Sequence, residues 1–115
     1  MDDQAGRIAP VVAVLPPEID VTNSEEVYEQ LTATLAPGVS VVVADMMSTV
    51  FCDSSGVHAI MHAYESAAAR DVRMLLAVSS ATSVRRVLEL IGVARLVPVY
   101  PSLQEALTAS TEGGA

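Results

Sequence analysis

A short polar segment, Asp53-Ser54-Ser55-Gly56, carries the residues of this sequence best suited to chemistry. It follows an apolar stretch and stands at the start of a helical pattern. The first N–H groups of a helix lack partners and the helix dipole favours negative charge there, so Asp53 or Ser54 can act as a cap worth about 1 kcal/mol. An exposed hydroxyl on this rigid junction is also a candidate phosphorylation site, because a helix N-terminus suits an anion. The cap is the simpler interpretation, and from the residues alone both remain open.

Other candidate catalytic and metal sites are weaker. His58 and His62 lie one helical turn apart with Glu65 following, which could place metal ligands on one face. No further His is available to complete a site, so we predict a solvated polar face and no metal. Ser54 is not part of a Gly-x-Ser-x-Gly elbow, and a neighbouring Asp53 does not give the geometry of a catalytic triad. Without a glycine-rich phosphate loop, no cofactor is predicted.

The charge distribution excludes one class of function and favours another. The chain has six basic residues against fourteen acidic ones, a net charge of −8, whereas nucleic-acid binders neutralise phosphates with basic side chains. No Lys or Arg lies between Arg7 and Arg70. We therefore expect an acidic surface that steers a basic partner, with a general solubility bias as the alternative. The acidic residues of this region are Glu18, Asp20, Glu25, Glu26, Glu29, Asp45, Asp53 and Glu65.

The apolar segments do not predict membrane association. No apolar run approaches the roughly 20 residues that a spanning helix needs. The run 8–15 follows Asp2 and Asp3, whereas a secretory signal begins with basic residues. A single cysteine, Cys52, cannot form an internal disulfide, and its position in an apolar stretch predicts a small core residue. We expect a cytoplasmic protein.

The elements that position these residues alternate along the chain. Apolar runs at 8–15, 39–46, 72–78 and 96–100 alternate with helical patterns. This order predicts an α/β fold with a mostly parallel sheet of four to five strands and four helices. Runs 39–46 and 72–78 are nearly all apolar, as in strands buried on both faces. The length predicts one domain over 7–109, with flexible ends at 1–6 and 110–115.

The helices are predicted from their caps and apolar stripes. Thr22-Asn23-Ser24-Glu25 and Ser102-Leu103-Gln104-Glu105 have the pattern of capping boxes, and Gly92 is a predicted C-cap. The second helix extends from near Ser54 to about Arg70. The inward-facing residues predicted for the second, third and last helices are Val57, Ile60, Met61, Tyr64 and Ala68; Val84, Val87, Leu88 and Ile91; and Ala106 and Leu107.

The segment Phe51-Cys52-Asp53-Ser54-Ser55-Gly56-Val57 resembles the signature of STAS domains, the anti-sigma factor antagonists of bacteria. Three further segments resemble the family in the same order, although Pro16-Pro17 replaces the glycine usual before the first of them. They are Glu18-Ile19-Asp20, residues 85–93, and Ser102 with Glu105-Ala106-Leu107. The resemblance implies a STAS-like single domain.

The resemblance also implies a mechanism. The unphosphorylated domain binds an anti-sigma factor that is also a serine kinase, and a sigma factor is released. The kinase then phosphorylates Ser54, the complex dissociates, and a serine phosphatase restores it. We predict a monomer that folds without metal or cofactor, because the core is large enough and the set of possible ligands is not. The resemblance implies a protein without catalytic activity, whose binding face comprises Asp20, Thr22, Asp53, Ser54, Ser55 and Gly56. A small-molecule or nucleotide-sensing STAS module and an unphosphorylated scaffold subunit are the alternatives.

Overall fold

The structure, a computed structural model, describes residues 9–112. Strands and helices alternate through most of the chain, and a short 3-10 helix, Val93–Arg95, follows the third α-helix. The strands are β1 (Val11–Val14), β2 (Glu18–Ile19), β3 (Val41–Met46), β4 (Phe51–Cys52), β5 (Arg73–Val78) and β6 (Val99–Tyr100). The helices are α1 (Ser24–Thr32), α2 (Ser54–Ala68), α3 (Val84–Ile91) and α4 (Leu103–Glu112).

The main sheet confirms the predicted α/β fold. Its four strands lie in the order β1-β3-β5-β6, and each pairs in parallel with its neighbour. Both central strands are buried on their two faces, as their apolar runs predicted. Side chains of α1, α2 and α3 join the larger core on one face. Ala106 of α4 packs with Val43 and Leu75 on the other face.

A second sheet of two short strands, β2 and β4, was not predicted from the sequence. The preceding segment is held by Thr49, whose buried hydroxyl donates to the Pro16 carbonyl at 2.9 Å. The Pro17 carbonyl accepts from the Val50 N–H at 2.8 Å. Strands of two residues have no periodicity to detect, so only tertiary pairing reveals them.

The helix caps are partly as predicted. Ser102 and Glu105 form the predicted capping box, with the Glu105 N–H donating to Ser102 Oγ at 3.0 Å. Gly92 ends α3 with a φ of 93°, as a left-handed C-cap requires. The capping box at Thr22 is wrong. The Thr22 hydroxyl donates to Asp20 Oδ1, and Asn23 is the N-cap residue of α1.

The predicted inward faces of two helices need correction. Ala68, the last residue of α2, is exposed, whereas Ala67 is buried. In α3 Val84 and Leu88 are buried, but Ile91 is 48% exposed where the helix ends at the Gly92 turn.

The last helix extends beyond the predicted end of the domain at 109. α4 continues to Glu112, and Ser110 is buried with its carbonyl accepting from Arg73 Nη1. The predicted flexible end 1–6, and residues 113–115 of the predicted flexible end 110–115, lie outside the described residues. Within residues 9–112, no helix is long and apolar enough to cross a membrane.

Candidate functional site

The small sheet brings two distant polar segments together. Ile19 of β2 pairs in parallel with Cys52 of β4, and the Asp53 N–H donates to the Ile19 carbonyl at 3.1 Å. Asp20 and Asp53 each follow one of these paired residues, so both lie at the carboxyl ends of the two strands. This is the edge of an α/β fold where binding sites are usually found. The structure thus places the Asp20–Thr22 region beside the start of α2.

Asp53 caps α2 and thereby positions the serines. Its Oδ1 accepts from the Ser55 N–H at 2.9 Å and the Gly56 N–H at 3.2 Å. Ser54 is the first residue of the helix and is exposed. Within residues 9–112, no hydrogen bond involves the Ser54 hydroxyl. The capping role predicted for this segment therefore belongs to Asp53, and the Ser54 hydroxyl faces solvent.

Gly56 allows α2 to approach the small sheet closely. A Cβ at this position would lie 2.7 Å from both Cys52 Sγ and Ile19 Cγ2. Any other residue would force these core side chains or the helix to shift. Gly56 therefore allows the first turn of α2 to pack directly against β2 and β4.

A network of local hydrogen bonds orders the turn after β2. Asp20 Oδ1 accepts from both the Thr22 hydroxyl and the Thr22 N–H, and the Asp20 N–H donates to Asn23 Oδ1 at 2.9 Å. Asn23 Nδ2 in turn donates to the Glu18 carbonyl at 2.8 Å. The Thr22 hydroxyl and N–H hold the pKa of the Asp20 carboxyl below its usual value, because they stabilise the charged form. Asp20 and Thr22 are therefore presented on an ordered loop.

A family model of the STAS domain matches residues 3–106. The chain belongs to the STAS domain family. No curated protein matches it at a significant level. Among solved structures, an anti-sigma factor antagonist from Mycobacterium paratuberculosis is 26% identical with a TM-score of 0.75, over 85% of this chain and 82% of that one.

Two further solved structures share the fold. An anti-sigma factor antagonist (STAS) domain protein from Planctomyces limnophilus is 22% identical with a TM-score of 0.71, over 90% of this chain and 92% of that one. The STAS domain of a SulP transporter from Vibrio cholerae is 20% identical with a TM-score of 0.68, over 96% of this chain and 91% of that one. The fold is thus found both in antagonists and in transporter domains.

Exposed apolar side chains flank the polar segments of this STAS domain and were not identified from the sequence. Val21, between Asp20 and Thr22, is 74% exposed, and Phe51 of β4 is 49% exposed. Val50 is exposed as well. Apolar side chains beside ordered polar ones are typical of protein-binding surfaces. The sequence feature that could have identified them is their position directly beside the two polar segments.

Cys52 lies beneath this surface as a core residue, as predicted. It is buried against Gly56, and burial, followed by the negative charge of Asp53, raises the pKa of its thiol to about 11. Since the thiolate is the reactive form, the thiol is unreactive at neutral pH.

The two histidines of the STAS domain lie on the exposed side of α2 and line a cleft against α1. His58 and His62 are exposed, and the His62 ring lies perpendicular to that of Tyr28 with the ring centres 6.5 Å apart. Within residues 9–112, no group of three or more His, Cys, Asp or Glu side chains is arranged to hold a metal ion.

Proposed function

We propose that this STAS domain is an anti-sigma factor antagonist. It binds an anti-sigma factor that has serine kinase activity and so releases a sigma factor. The observation that carries the proposal is the exposed Ser54 hydroxyl at the first position of α2. The side chain of Asp53, and not that of Ser54, caps the helix, so the Ser54 hydroxyl is left for a partner. The likeness to the antagonist from Mycobacterium paratuberculosis supports this class of partner.

The proposed binding face joins the two segments that the small sheet brings together. Asp20 and Thr22 contribute an ordered acidic loop, and Ser54 contributes a hydroxyl to the contact. Asp53, Ser55 and Gly56 form the first turn of α2 and keep that hydroxyl in place. The exposed apolar residues Val21, Val50 and Phe51 supply area that can be removed from water on binding. The domain acts by binding, as a cytoplasmic monomer, and catalyses no reaction.

Phosphorylation of Ser54 by the partner dissociates the complex, and a serine phosphatase removes the phosphate so that the complex can form again. Within the domain, the helix dipole favours the phosphate by about 0.3–1 kcal/mol, while Asp53 opposes it. These effects nearly cancel, so the fold is retained. At the interface, the phosphate brings about two negative charges to a contact that accommodates a hydroxyl. An uncompensated buried charge costs several kcal/mol, so binding falls about a hundredfold or more.

Binding of three serine variants to a purified anti-sigma factor kinase tests the proposal. With ATP present, Ser54→Ala is expected to remain bound, because it cannot be phosphorylated. Ser54→Glu is expected to bind about a hundredfold more weakly with an unchanged melting temperature. Ser55→Ala is the matched control, and mass spectrometry is expected to find it phosphorylated at Ser54. A phosphate on Ser55, or native affinity of Ser54→Glu, would contradict the switch.

A further inference from the structure

A cleft between α1 and α2 opens beside the Ser54 surface. It has a volume of about 450 Å³, and its lining includes Glu25, Tyr28, Ser55, His58 and His62. Ser55 belongs both to the cleft and to the first turn of α2, so the cleft is continuous with the proposed binding face. Its size suits one long side chain of a bound protein.

The lining combines a carboxylate with an oriented aromatic ring. Glu25 is exposed in the first turn of α1, and no ion pair within residues 9–112 involves it. Two contacts order the Tyr28 side chain. Its hydroxyl lies 3.3 Å from Ser66 Oγ, and its ring packs perpendicular to the ring of His62. The structure therefore places a carboxylate and an ordered aromatic side chain in one cleft, and no Lys or Arg of residues 9–112 lines it.

This combination selects for arginine among protein side chains. A guanidinium is planar, stacks on an aromatic face and pairs with a carboxylate through two parallel hydrogen bonds. A lysine ammonium is a strongly hydrated point charge and uses the aromatic face less well. No Lys or Arg lies between Arg7 and Arg70 of the sequence, and the cleft is lined by residues from this region alone.

We infer that the α1–α2 cleft receives an arginine side chain of the kinase partner and anchors that partner beside Ser54. The inference rests on the proposed function for the identity of the partner. Glu25 pairs with the guanidinium, and the Tyr28 ring stacks on it. The anchor orients the partner on the binding face while leaving the Ser54 hydroxyl accessible.

The cleft can be tested without the partner, by NMR titration of the isotope-labelled protein with Nα-acetyl-arginine amide. We expect saturable shifts at millimolar concentrations, concentrated on the amides of Glu25, Tyr28, Ser55, His58 and His62. The citrulline analogue has the same shape without the charge and is expected to give no saturable shifts. The lysine analogue is expected to bind more weakly than the arginine probe.

Two neighbouring substitutions separate a specific contact from general charge attraction. Glu25→Gln is expected to lower the affinity for the arginine probe by about fivefold or more, because it removes the charge-assisted hydrogen bonds to the guanidinium. Glu26→Gln makes the same change in charge, but Glu26 lines a different cleft on the other side of α1. It is expected to leave the affinity within about twofold, since exposed charges contribute little at a distance.

Equal effects of the two variants, equal binding of the lysine or citrulline analogue, or shifts scattered over all acidic residues would overturn the cleft proposal. The outcome is independent of the Ser54 switch. If Ser54→Glu binds the kinase normally while the arginine titration behaves as expected, the switch fails and the cleft stands. If the titration fails while Ser54→Glu abolishes kinase binding, the cleft fails and the switch stands.

Discussion

Ser54 and Ser55 are adjacent in sequence, yet the fold gives them different surroundings. Ser54 is exposed, and no hydrogen bond within residues 9–112 involves its hydroxyl. Ser55 is half-buried, its N–H donates to Asp53, and its side chain lines the α1–α2 cleft. A kinase active site must surround the hydroxyl that it phosphorylates, and the structure leaves room for this at Ser54. The difference between two identical residues thus supports Ser54 over Ser55 as the proposed phosphorylation site.

Cys52 is expected to resist alkylation until the protein unfolds. Its pKa is raised, so the neutral thiol stabilises the folded state below pH 9 and this contribution is lost as pH rises towards about 11. Labelling with iodoacetamide followed by mass spectrometry measures the rate, and a urea-unfolded sample is the control. Equal rates for the folded and unfolded protein would contradict the burial of the thiol.

The turn at Asp20 is expected to respond to the Thr22 hydroxyl. Thr22→Val removes the strongest hydrogen bond to the carboxylate, so the pKa of Asp20 is expected to rise towards its usual value of 3.8. Because the folded-state pKa is lowered, the stabilisation is present above pH 3.8 and is lost as pH falls through the folded value. NMR titration of the Asp20 carboxyl carbon measures the shift.

Thr22→Ser is the matched control for this prediction, since it keeps the hydroxyl and is expected to keep the lowered pKa. If Thr22→Val and the native protein titrate at the same pH, the hydrogen bond is not the cause of the shift.

At the scale of elements, the small sheet and the first turn of α2 act as one unit. β2 and β4 place their carboxyl ends side by side, and Gly56 sets α2 against Ile19 and Cys52. The proposed binding face therefore depends on contacts between residues more than thirty positions apart in the sequence. Neither strand can form by itself, because two paired residues do not offset the entropy of ordering them.

Gly56→Ala is expected to destabilise the domain by about 1–3 kcal/mol, because the added methyl group overlaps Cys52 Sγ and Ile19 Cγ2. In an unconstrained helix the same change would stabilise by about 1 kcal/mol, so the sign of the effect is diagnostic. Urea unfolding measures it. Gly56→Ala is expected to cost less stability in a Cys52→Ala background than in the native protein, because the Sγ atom that the methyl group overlaps is then absent. A stabilised Gly56→Ala protein would show that the helix does not approach the sheet this closely.

At the scale of the whole molecule, charge is unevenly distributed along the chain. The acidic residues of α1 are exposed, and all the arginines of the described residues lie at or after Arg70. Some of these arginines bind within the fold: Arg70 and Arg73 donate to backbone carbonyls, and Arg85 pairs with Glu89. The region around the proposed binding face therefore keeps its negative charge, and we expect this charge to attract a basic partner over several ångströms.

Replacing Glu25, Glu26 and Glu29 with glutamine is expected to lower the rate of partner association by about tenfold at low salt. The salt dependence of that rate is expected to weaken, while the free energy of unfolding changes little because exposed charges contribute little to stability. Stopped-flow mixing with the kinase at several salt concentrations measures the rate. An association rate that is the same for both proteins at every salt concentration would rule out steering by α1.

Local features of the sequence were sufficient for much of this structure. The alternation of apolar runs and helical patterns predicted the α/β fold, because hydrophobic periodicity is written into each element separately. The cap at the start of α2, the Ser102 capping box and the Gly92 turn were predicted for the same reason, since each joins residues at most a few positions apart. The STAS signature likewise pointed to Ser54 before any geometry was known.

Other features depend on residues that meet only in the folded chain. The pairing of β2 with β4 and the contact of Arg73 with the Ser110 carbonyl near the end of α4 were decided by tertiary structure. The hydrogen bond from the Thr22 hydroxyl to Asp20 is local, and it forms in place of the predicted helix cap because such side chains can bond to several nearby groups. The α1–α2 cleft also depends on tertiary structure, because Glu25 of α1 and His62 of α2 line it together although they are far apart in the sequence. In each of these tertiary contacts the partners come from different elements, so the local sequence of neither element predicts the contact.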